Sequence, residues 1–402
     1  MELHALPTRH GANQAEAERI AKPLLWLIRD RSAAHPNKDQ WQRMGKALLR
    51  GDAPADQLAE WIHSSGSNAA FDQFNKTLNS GAFDQTDLPQ PLRTFFNAVS
   101  QPPAWVNWEQ LERGAQACAL SGKTGMRVLH DLGLMAGYQA SGINQTLIKT
   151  GALKHGASRR VAETTKWWMD CTTPGGMKAG ADGFKTTLRV RLIHAMIRQR
   201  LLKQPDWDVA HWGLPINQLD MQATYLAFSV SFLFGQKLMG TIITGREAED
   251  IMHLWRYIGW LMGVDDALLC SSEQEGRIAL YQNVTTQATA DENSRHLARA
   301  LMDEPLGRHY ASAPWLRGHW ERQVHLSLVR WFVGRRGMKA LGLPASTLPW
   351  YPLLFTPVNT LWCALHRLVP GGRARLQHAG RKAQQNQLQT LFGQDRPDII
   401  AR

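Results

Sequence analysis

Apolar residues recur along most of the chain at intervals of three to four positions, the period of an α-helix with one face turned to a core. In RVRLIHAMIRQR (189–200), Val190, Ile193 and Ile197 fall in one arc, and His194 lies at its edge. No strand-like alternation of useful length is present, and no internal repeat is obvious. The pattern predicts an all-α protein. The predicted helices span residues 14–30, 39–50, 56–63, 108–119, 126–150, 158–170, 183–203, 217–240, 246–263, 272–288, 293–302, 317–335 and 359–368.

Segments rich in proline and glycine separate these helices, for example QPPAW (101–105), TTPGGMKAGADG (172–183) and VPGG (369–372). We interpret residues 1–402 as one all-α domain with the central helices as its core. In the alternative, residues 1–100 form a separate helical module, with the QPP turn as the seam.

The net charge of +12 favours anionic partners or a negatively charged membrane surface. No zinc finger, RNA-recognition core or basic zipper accompanies that charge, so nucleic-acid binding is not expected. The 16 tryptophans, against 6 tyrosines, suggest wide apolar cavities or packed helix seams.

The four cysteines lie far apart with no C-x-x-C motif, which suits a reducing compartment. The first thirty residues lack the features of a secretion signal. The sequence as given therefore predicts a cytoplasmic protein, or a secreted one if a leader is missing. The most apolar run, residues 225–243, contains Gln236 and Lys237 and is interpreted as a buried helix.

His194 is the first candidate for chemistry. A half-buried imidazole needs a carbonyl, a carboxylate, water or a metal as partner. No H-E-x-x-H motif supports a zinc site, and a lone helical histidine is more often a satisfied core residue than a metal ligand. One axial histidine is nevertheless enough for haem iron. Arg191 and Arg198 flank His194 and are candidates to bind the haem propionates.

The stretch SRRVAETTKWWMDC (158–171) is the second candidate. On a helix, Arg160 and Thr164 share one face, with Glu163 beside them. A guanidinium, a hydroxyl and a carboxylate within one turn would suit a polar ligand. The alternative is an ordinary surface pair between Arg160 and its neighbours.

Several blocks taken together resemble the latex-clearing proteins, the haem b rubber oxygenases. The wider family includes oxygenases that cleave farnesyl-type side chains. The likeness covers about residues 110–275, and the 34 residues from Arg160 to His194 are part of it. The blocks are SRRVAETTKWW, PGGMKAGADGFKTTLRVRLIHAMIRQRLL, WGLPINQLDMQATYLAFS and REAEDIMHLWRYIGWLMGVDDALL.

The resemblance implies a globin-like helical core, formed by residues 110–275, that holds haem b with His194 as the proximal iron ligand. Residues 1–100 and 276–402 would be accessory helices. It also implies that Arg160 and Thr164 shape the oxygen-binding pocket. The other nitrogen of His194 is expected to donate to a carbonyl one turn back, near Val190.

The chain departs from the family at two positions. The family carries a lysine just before its threonine, where this chain has Glu163. The family also uses a glutamate on the preceding helix as a base. The matching helix here reads YQASGINQTLIKTGAL, and its Asn144 and Gln145 cannot act as bases. Either Glu163 has taken over the base role, or the chemistry or the substrate differs from rubber cleavage.

The sequence thus predicts a haem b-dependent oxygenase that uses molecular oxygen to cleave a C=C bond of a polyisoprenoid or other apolar alkene. It is expected to be a monomer with contact to a membrane or polymer surface. One alternative is a haem peroxidase or monooxygenase acting on an apolar substrate. The other is a haem-free helical protein that binds an apolar ligand or an anionic membrane.

Overall fold

The computed structural model describes residues 5–66, 68–83, 87–151 and 157–393. Every regular element in these ranges is helical and no strand occurs, which confirms the all-α prediction. The helices of the first half are α1 (Gln14–Ala21), α2 (Lys38–Ala47), α3 (Ala53–Ser64), α4 (Asn68–Ser80), α5 (Gln90–Ser100), α6 (Trp108–Ala119), α7 (Gly122–Val128), α8 (Ser141–Lys149), α9 (Ala157–Cys171) and α10 (Asp182–Leu202). Those of the second half are α11 (Val209–Trp212), α12 (Gln218–Leu226), α13 (Phe232–Leu238), α14 (Gly245–Leu261), α15 (Glu273–Thr286), α16 (Glu292–Asp303), α17 (Pro314–Ala340), α18 (Trp350–Leu368) and α19 (Gly372–Phe392).

Side-chain caps start two of the central helices where the sequence indicates. The side-chain oxygen of Asn217 accepts a hydrogen bond from the backbone N–H of Asp220 at 3.0 Å, which begins α12. Thr244 and Glu247 form a reciprocal capping box at the start of α14. These bonds satisfy backbone donors that have no partner within the helix.

Two stretches of predicted continuous helix contain wider, π-helical turns. The first π segment is Leu129–Met135, between α7 and a short 3-10 turn at Ala136–Gln139. The second, Ala227–Ser231, joins α12 to α13. The two π segments pack against each other. Since a π turn adds a residue to the helical ring, it redirects the side chains that follow, and such turns are frequent at functional sites.

A large apolar group, the central cluster, is built from α3 to α6, α9, α10 and α12 to α14. Helices α6 and α14 approach so closely that a Cβ on Gly114 would lie 2.3 Å from the carbonyl oxygen of Asp250. Phe74 and Phe95, from the first hundred residues, belong to the same cluster as Leu192 of α10. The N-terminal helices therefore share packing with the centre of the protein, while the exact domain boundaries stay a prediction.

A second cluster lies around the first π segment, the start of α9, α16, α17 and the end of α19. The apolar run 225–243 is helical up to Leu238, with Leu226, Val230 and Leu233 fully enclosed. Among the described residues, no helix has the length and apolar character needed to cross a membrane.

Candidate functional site

A cavity of about 860 Å³ lies between the central cluster and the second cluster. Its wall is mostly apolar and is built by both π segments, α8, α9, α15 and the second half of α17. Exposed residues mark where the wall reaches the surface: Arg19 and Ile20 of α1, and Trp331 and Arg335 of α17. An apolar space of this size that opens to solvent suits an extended hydrocarbon ligand.

Helix α9 places Arg160 and Thr164 one turn apart on the face that lines this cavity, as their spacing predicts. Arg160 has no ion-pair partner among the described residues. Burial raises the pKa of the neighbouring Tyr138, and the Arg160 charge opposes that increase. A cation at the wall of an apolar space is unfavourable unless a ligand atom with negative charge accompanies it. Arg160 and Thr164 are therefore suited to donate hydrogen bonds to a bound oxygen atom.

Glu163 lies on a different side of α9. Its carboxylate accepts a hydrogen bond from Nε of Arg159 at 2.8 Å, in a pair that solvent reaches. Glu163 does not belong to the cavity wall described above. This position does not favour the base role suggested for Glu163, which stays a prediction.

Helices α9 and α10 form an antiparallel hairpin, and their pairing determines where His194 lies along the helix axes relative to Arg160. Nε1 of Trp167 donates to Oγ1 of Thr187 at 3.0 Å and fixes the pairing of the two helices. Arg160 lies seven residues before Trp167 on α9, and His194 lies seven residues after Thr187 on α10. Because seven residues complete about two helical turns, both side chains return to the paired faces at the same level. The 34-residue spacing in the sequence therefore has a structural reason.

The protein encloses the His194 side chain and keeps its ring neutral at pH 7. Burial, followed by the charge of Arg198, lowers the pKa of His194 to about 4, and Asp52 opposes this only in part. Nδ1 is buried without a hydrogen-bond partner, so the expected bond to a carbonyl near Val190 is not formed. The residue as a whole keeps some accessible surface and is half-buried. A neutral imidazole with an unpaired nitrogen is in the form that ligates a metal.

The structure gives Arg191 and Arg198 partners within this chain. Nε and Nη2 of Arg191 donate to the two carboxylate oxygens of Asp52 at 2.6 and 2.8 Å. Arg198 donates from Nη1 to a single carboxylate oxygen of Asp56, and from Nε to the carbonyl of Pro215 at 3.0 Å. Since both aspartates lie at the start of α3, the two arginines tie α10 to α3. Their proposed contact with haem propionates stays a prediction, and these carboxylates would have to give way to it.

The hairpin residues fit a haem group in their chemistry. His194 supplies a neutral imidazole whose Nδ1 has no hydrogen-bond partner, and Arg160 supplies a cation with no ion-pair partner among the described residues. Trp167 of the hairpin forms an aromatic group with Phe228 and Trp255, with ring centroids 5.0 to 5.7 Å apart. His194 does not line the 860 Å³ cavity, however, so the structure brings Arg160 and Thr164 together there without it.

A buried polar cluster that the sequence analysis missed forms another part of the cavity wall. The Nδ1 atoms of His130 and His325 donate to Oδ1 of Asp131 at 2.7 and 2.8 Å. Arg308 donates to Nε2 of His325 at 3.2 Å and pairs with Glu304 at 2.6 Å. The cluster joins the first π segment to α17 and to the turn after α16.

Three residues of this cluster, His130, Asp131 and His325, offer ligand atoms within 4.8 Å of one another, close enough to hold a metal ion. The hydrogen bonds favour a different role. A guanidinium only donates, so Nε2 of His325 accepts from Arg308, and its Nδ1 keeps the proton that it donates to Asp131. Burial lowers the pKa of His325 to about 4, which agrees with a neutral ring. Nε2 of His130 is enclosed and lies 3.5 Å from a carboxylate oxygen of Glu304. Each ring nitrogen of the two histidines therefore faces another group of this cluster, which acts as a cross-link within the cavity wall.

The sequence held only a weak signal for this cluster. His130 and Asp131 are adjacent, but His325 follows Asp131 by 194 residues and lies in a different helix. No local pattern connects positions so far apart, and only the packing of α17 on the π segment brings them together.

A known protein family matches the part of the chain that carries these elements. The family model "ER-bound oxygenase mpaB/B'/Rubber oxygenase, catalytic domain" matches residues 126–364, more than half of the chain. The chain is similar to the rubber oxygenase of Streptomyces sp. (strain K30), at 27% identity over 183 residues. That alignment covers 44% of this chain and 44% of the relative, so it spans less than half the length of that protein.

The fold is also similar to that of a solved latex clearing protein, LCP, in the closed state. The TM-score is 0.59 and the identity 21%, and the superposition covers 84% of this chain and 91% of the other. The matched family segment runs from α7 into α18. It therefore includes the α9–α10 hairpin, both π segments and the buried histidine cluster.

Proposed function

Because the chain belongs to the mpaB/B' and rubber oxygenase catalytic-domain family, we propose that it is a haem b-dependent oxygenase. The proposed reaction is the cleavage of a C=C bond in a polyisoprenoid or related apolar alkene by molecular oxygen, giving an aldehyde and a ketone. Both oxygen atoms end in the two carbonyl products, so the reaction consumes no reductant and no peroxide. The observation that supports this proposal most is the pair Arg160 and Thr164, a cation and a hydroxyl on the wall of a large apolar cavity.

His194 is the residue that we propose as the iron ligand. Its ring is neutral, enclosed and unpaired at Nδ1, and the α9–α10 pairing sets it level with Arg160. When bound, haem b supplies the redox-active iron that reacts with oxygen. Since His194 does not line the 860 Å³ cavity, a group bound to it would have to extend into that cavity to reach Arg160.

Arg160 and Thr164 are proposed to stabilise the negative charge that develops on oxygen during the reaction. Preorganised donors act strongly in a site with little water, because there is less solvent screening of their charge. The surrounding apolar wall binds the hydrocarbon and excludes water from the reacting bond. The name of the Streptomyces relative, a rubber oxygenase, supports a polyisoprenoid as the substrate class.

The proposal assigns no base. Asn144 lines the cavity, but its amide donates to the carbonyl of Tyr138 at 2.7 Å and to Oγ of Ser294 at 2.9 Å, and an amide cannot take up a proton at neutral pH. Glu163 is directed to Arg159 instead. Cleavage in this protein therefore proceeds without a carboxylate at the position where the family has one.

The visible spectrum of protein purified from haem-replete cells tests the cofactor. We expect a Soret band at close to one haem per chain, and we expect His194→Ala to lose it. His63→Ala, at an exposed histidine near the end of α3, is the matched control and should keep the band. A colourless wild-type protein, or a His194→Ala variant that retains full haem, would refute the assignment.

The reaction itself is tested with a cis-polyisoprene or farnesyl substrate under ¹⁸O-labelled oxygen, without peroxide or reductant. We expect label in both carbonyl products. Label in a single hydroxylated or epoxidised product, or activity only with added peroxide, would favour a monooxygenase or peroxidase instead.

A further inference from the structure

Helix α18 carries its apolar side chains towards solvent and its polar side chains towards the protein. Nδ2 of Asn359 donates to the carbonyl of Met239 at 2.7 Å, and Nη2 of Arg367 donates to the carbonyl of Ile242 at 2.7 Å. A surface helix of a water-soluble protein has the opposite arrangement. The inward polar contacts hold α18 in this orientation, so its outward apolar face is a fixed feature of the fold.

The outward side chains form one continuous stripe, which we call the outer apolar face. Leu361 is 61% exposed and Leu368 is 81% exposed, values far above those of a core helix. Trp320 of α17 packs against Trp350 at 5.2 Å between ring centroids and joins the start of α17 to this stripe. On α18 the outer apolar face consists of Leu353, Leu354, Val358, Leu361, Leu365 and Leu368. Monomeric soluble proteins rarely expose a patch of this kind, and such patches mark contact with a partner or a membrane.

The charge around the outer apolar face has one sign. Residues 322–393 contain no aspartate or glutamate, while arginine and lysine recur in α17 and α19, and Arg367 lies near the end of α18. The acidic residue that meets α18 from the neighbouring helix α14 is Glu247, which is buried and paired with both Arg367 and Arg373. Exposed cations such as Arg317 and Arg375 are left on the adjoining helices.

From these observations we propose that the outer apolar face docks the protein on a lipid bilayer that contains anionic lipid, with α18 lying in the plane of the interface. Leucine side chains enter the boundary of the acyl chains, tryptophans lie at the headgroup level, and the surrounding cations meet the lipid phosphates and carboxylates. A second copy of this chain is a poorer occupant, since its equivalent surface has the same positive charge and no acidic residues to match it.

The same face adjoins the proposed active cavity. A cleft of about 220 Å³ lies under α18, and Arg127 lines both this cleft and the 860 Å³ cavity. The Arg127 guanidinium also hydrogen-bonds to the hydroxyl of Tyr351 on α18. Resting on the proposed function, this shared wall indicates that an alkene dissolved in the bilayer enters from the α18 side, past Arg127.

Co-sedimentation of the full chain with vesicles tests the docking. We expect the protein to bind phosphatidylcholine vesicles that contain phosphatidylserine, and to bind pure phosphatidylcholine much more weakly. Added salt should reduce binding, because it screens the attraction between the cations and the lipid headgroups. Leu361→Ser should lower the partition coefficient about tenfold, the effect of losing one buried leucine. The control Leu202→Ser changes a leucine that is 41% exposed at the end of α10 and should bind like wild type.

Three results would overturn the proposal: no binding to either kind of vesicle, equal binding to both without dependence on salt, or equal losses in Leu361→Ser and Leu202→Ser. Sedimentation velocity tests whether a second copy of this chain occupies the outer apolar face instead. A wild-type dimer that Leu361→Ser converts to a monomer would identify the face as a contact between copies. Activity of Leu361→Ser on a detergent-dispersed alkene should equal that of wild type, so a failure of docking is distinguishable from a failure of the proposed reaction.

Discussion

The ion pair between Asp52 and Arg191 provides a quantitative test of how α10 is held. The two side chains are only 4% and 6% exposed, and the pair is bidentate. Asp52→Ala would leave the Arg191 charge buried and bonded only to the carbonyl of Leu261 at 3.2 Å. Removing one partner of a buried pair in this way costs about 3–5 kcal/mol of unfolding free energy.

For a chain of 402 residues, the usual unfolding entropy per residue converts this loss into a decrease of about 4–6 °C in the melting temperature. Circular dichroism on the haem-free protein, by heating and by urea titration, measures it. Asp303→Ala is the control, because Asp303 pairs with Arg322 at a site that is 52% exposed on the aspartate side, and it should lose much less. The double variant Asp52→Ala/Arg191→Met should recover part of the loss, since no unpaired charge remains buried.

Equal losses in Asp52→Ala and Asp303→Ala would refute the reasoning, because the pair would then not be holding α10. A loss for Arg191→Met that is seen only in haem-loaded protein would be equally informative. In that case Arg191 would serve a propionate, as the sequence suggested, and not Asp52.

Three further predictions follow from the cavity and its buried charges. Thr164→Val removes a hydroxyl from the cavity wall and keeps the side-chain shape, so we expect an unchanged unfolding free energy but a turnover of the alkene reduced by about a hundredfold in product assays. His194 has a pKa of about 4 in the folded protein and 6.5 when unfolded. Between these pH values the haem-free protein takes up a proton on unfolding, so its unfolding free energy rises with pH. In urea titrations across this range, His194→Leu should lower the slope of unfolding free energy against pH by up to about 1.4 kcal/mol per pH unit. Burial opposes ionisation of Glu304, but the charge of Arg308 and the hydrogen bonds to the carboxylate together have the larger effect and lower the pKa of Glu304 to about 2. The ionised Glu304 therefore stabilises the folded protein above pH 4.5, and this contribution is lost as the pH falls towards 2. Glu304→Gln should therefore be less stable than wild type at pH 7 and flatter in the acid range, and an equally steep acid transition would contradict the pairing.

Local patterns in the sequence were sufficient for most helices and for the shared face of Arg160 and Thr164. Periodicity placed α6, α9, α10 and α14 nearly at their observed bounds, because each has an apolar stripe that packs into the central cluster. The interval between Arg160 and His194 carried the resemblance to the family, and the hairpin explains why that interval matters.

Other elements were missed because their patterns are unusual. The prediction omitted α4, α5 and α19, and started α18 at residue 359, although the helix begins at Trp350. A proline in the first turn of a helix, such as Pro352 in α18, is compatible with helical structure. Pro357 lies inside the helix, however, and makes the sequence of this segment resemble a loop. Helix α19 resembles a charged tail, and its few buried residues, such as Leu376 and Leu391, find their partners only in the folded protein.

The sequence by itself determined which residues could carry chemistry: one histidine on an apolar helix, and arginines at helical spacing beside it. Only the tertiary structure decided which of these groups is free to act. Arg160, Arg191 and Arg198 are equivalent in sequence terms, yet α3 brings Asp52 and Asp56 to the last two and leaves Arg160 unpaired at the cavity among the described residues. The physical reason is that helical periodicity is a local property, whereas the partner of a buried charge depends on which distant helix packs against it.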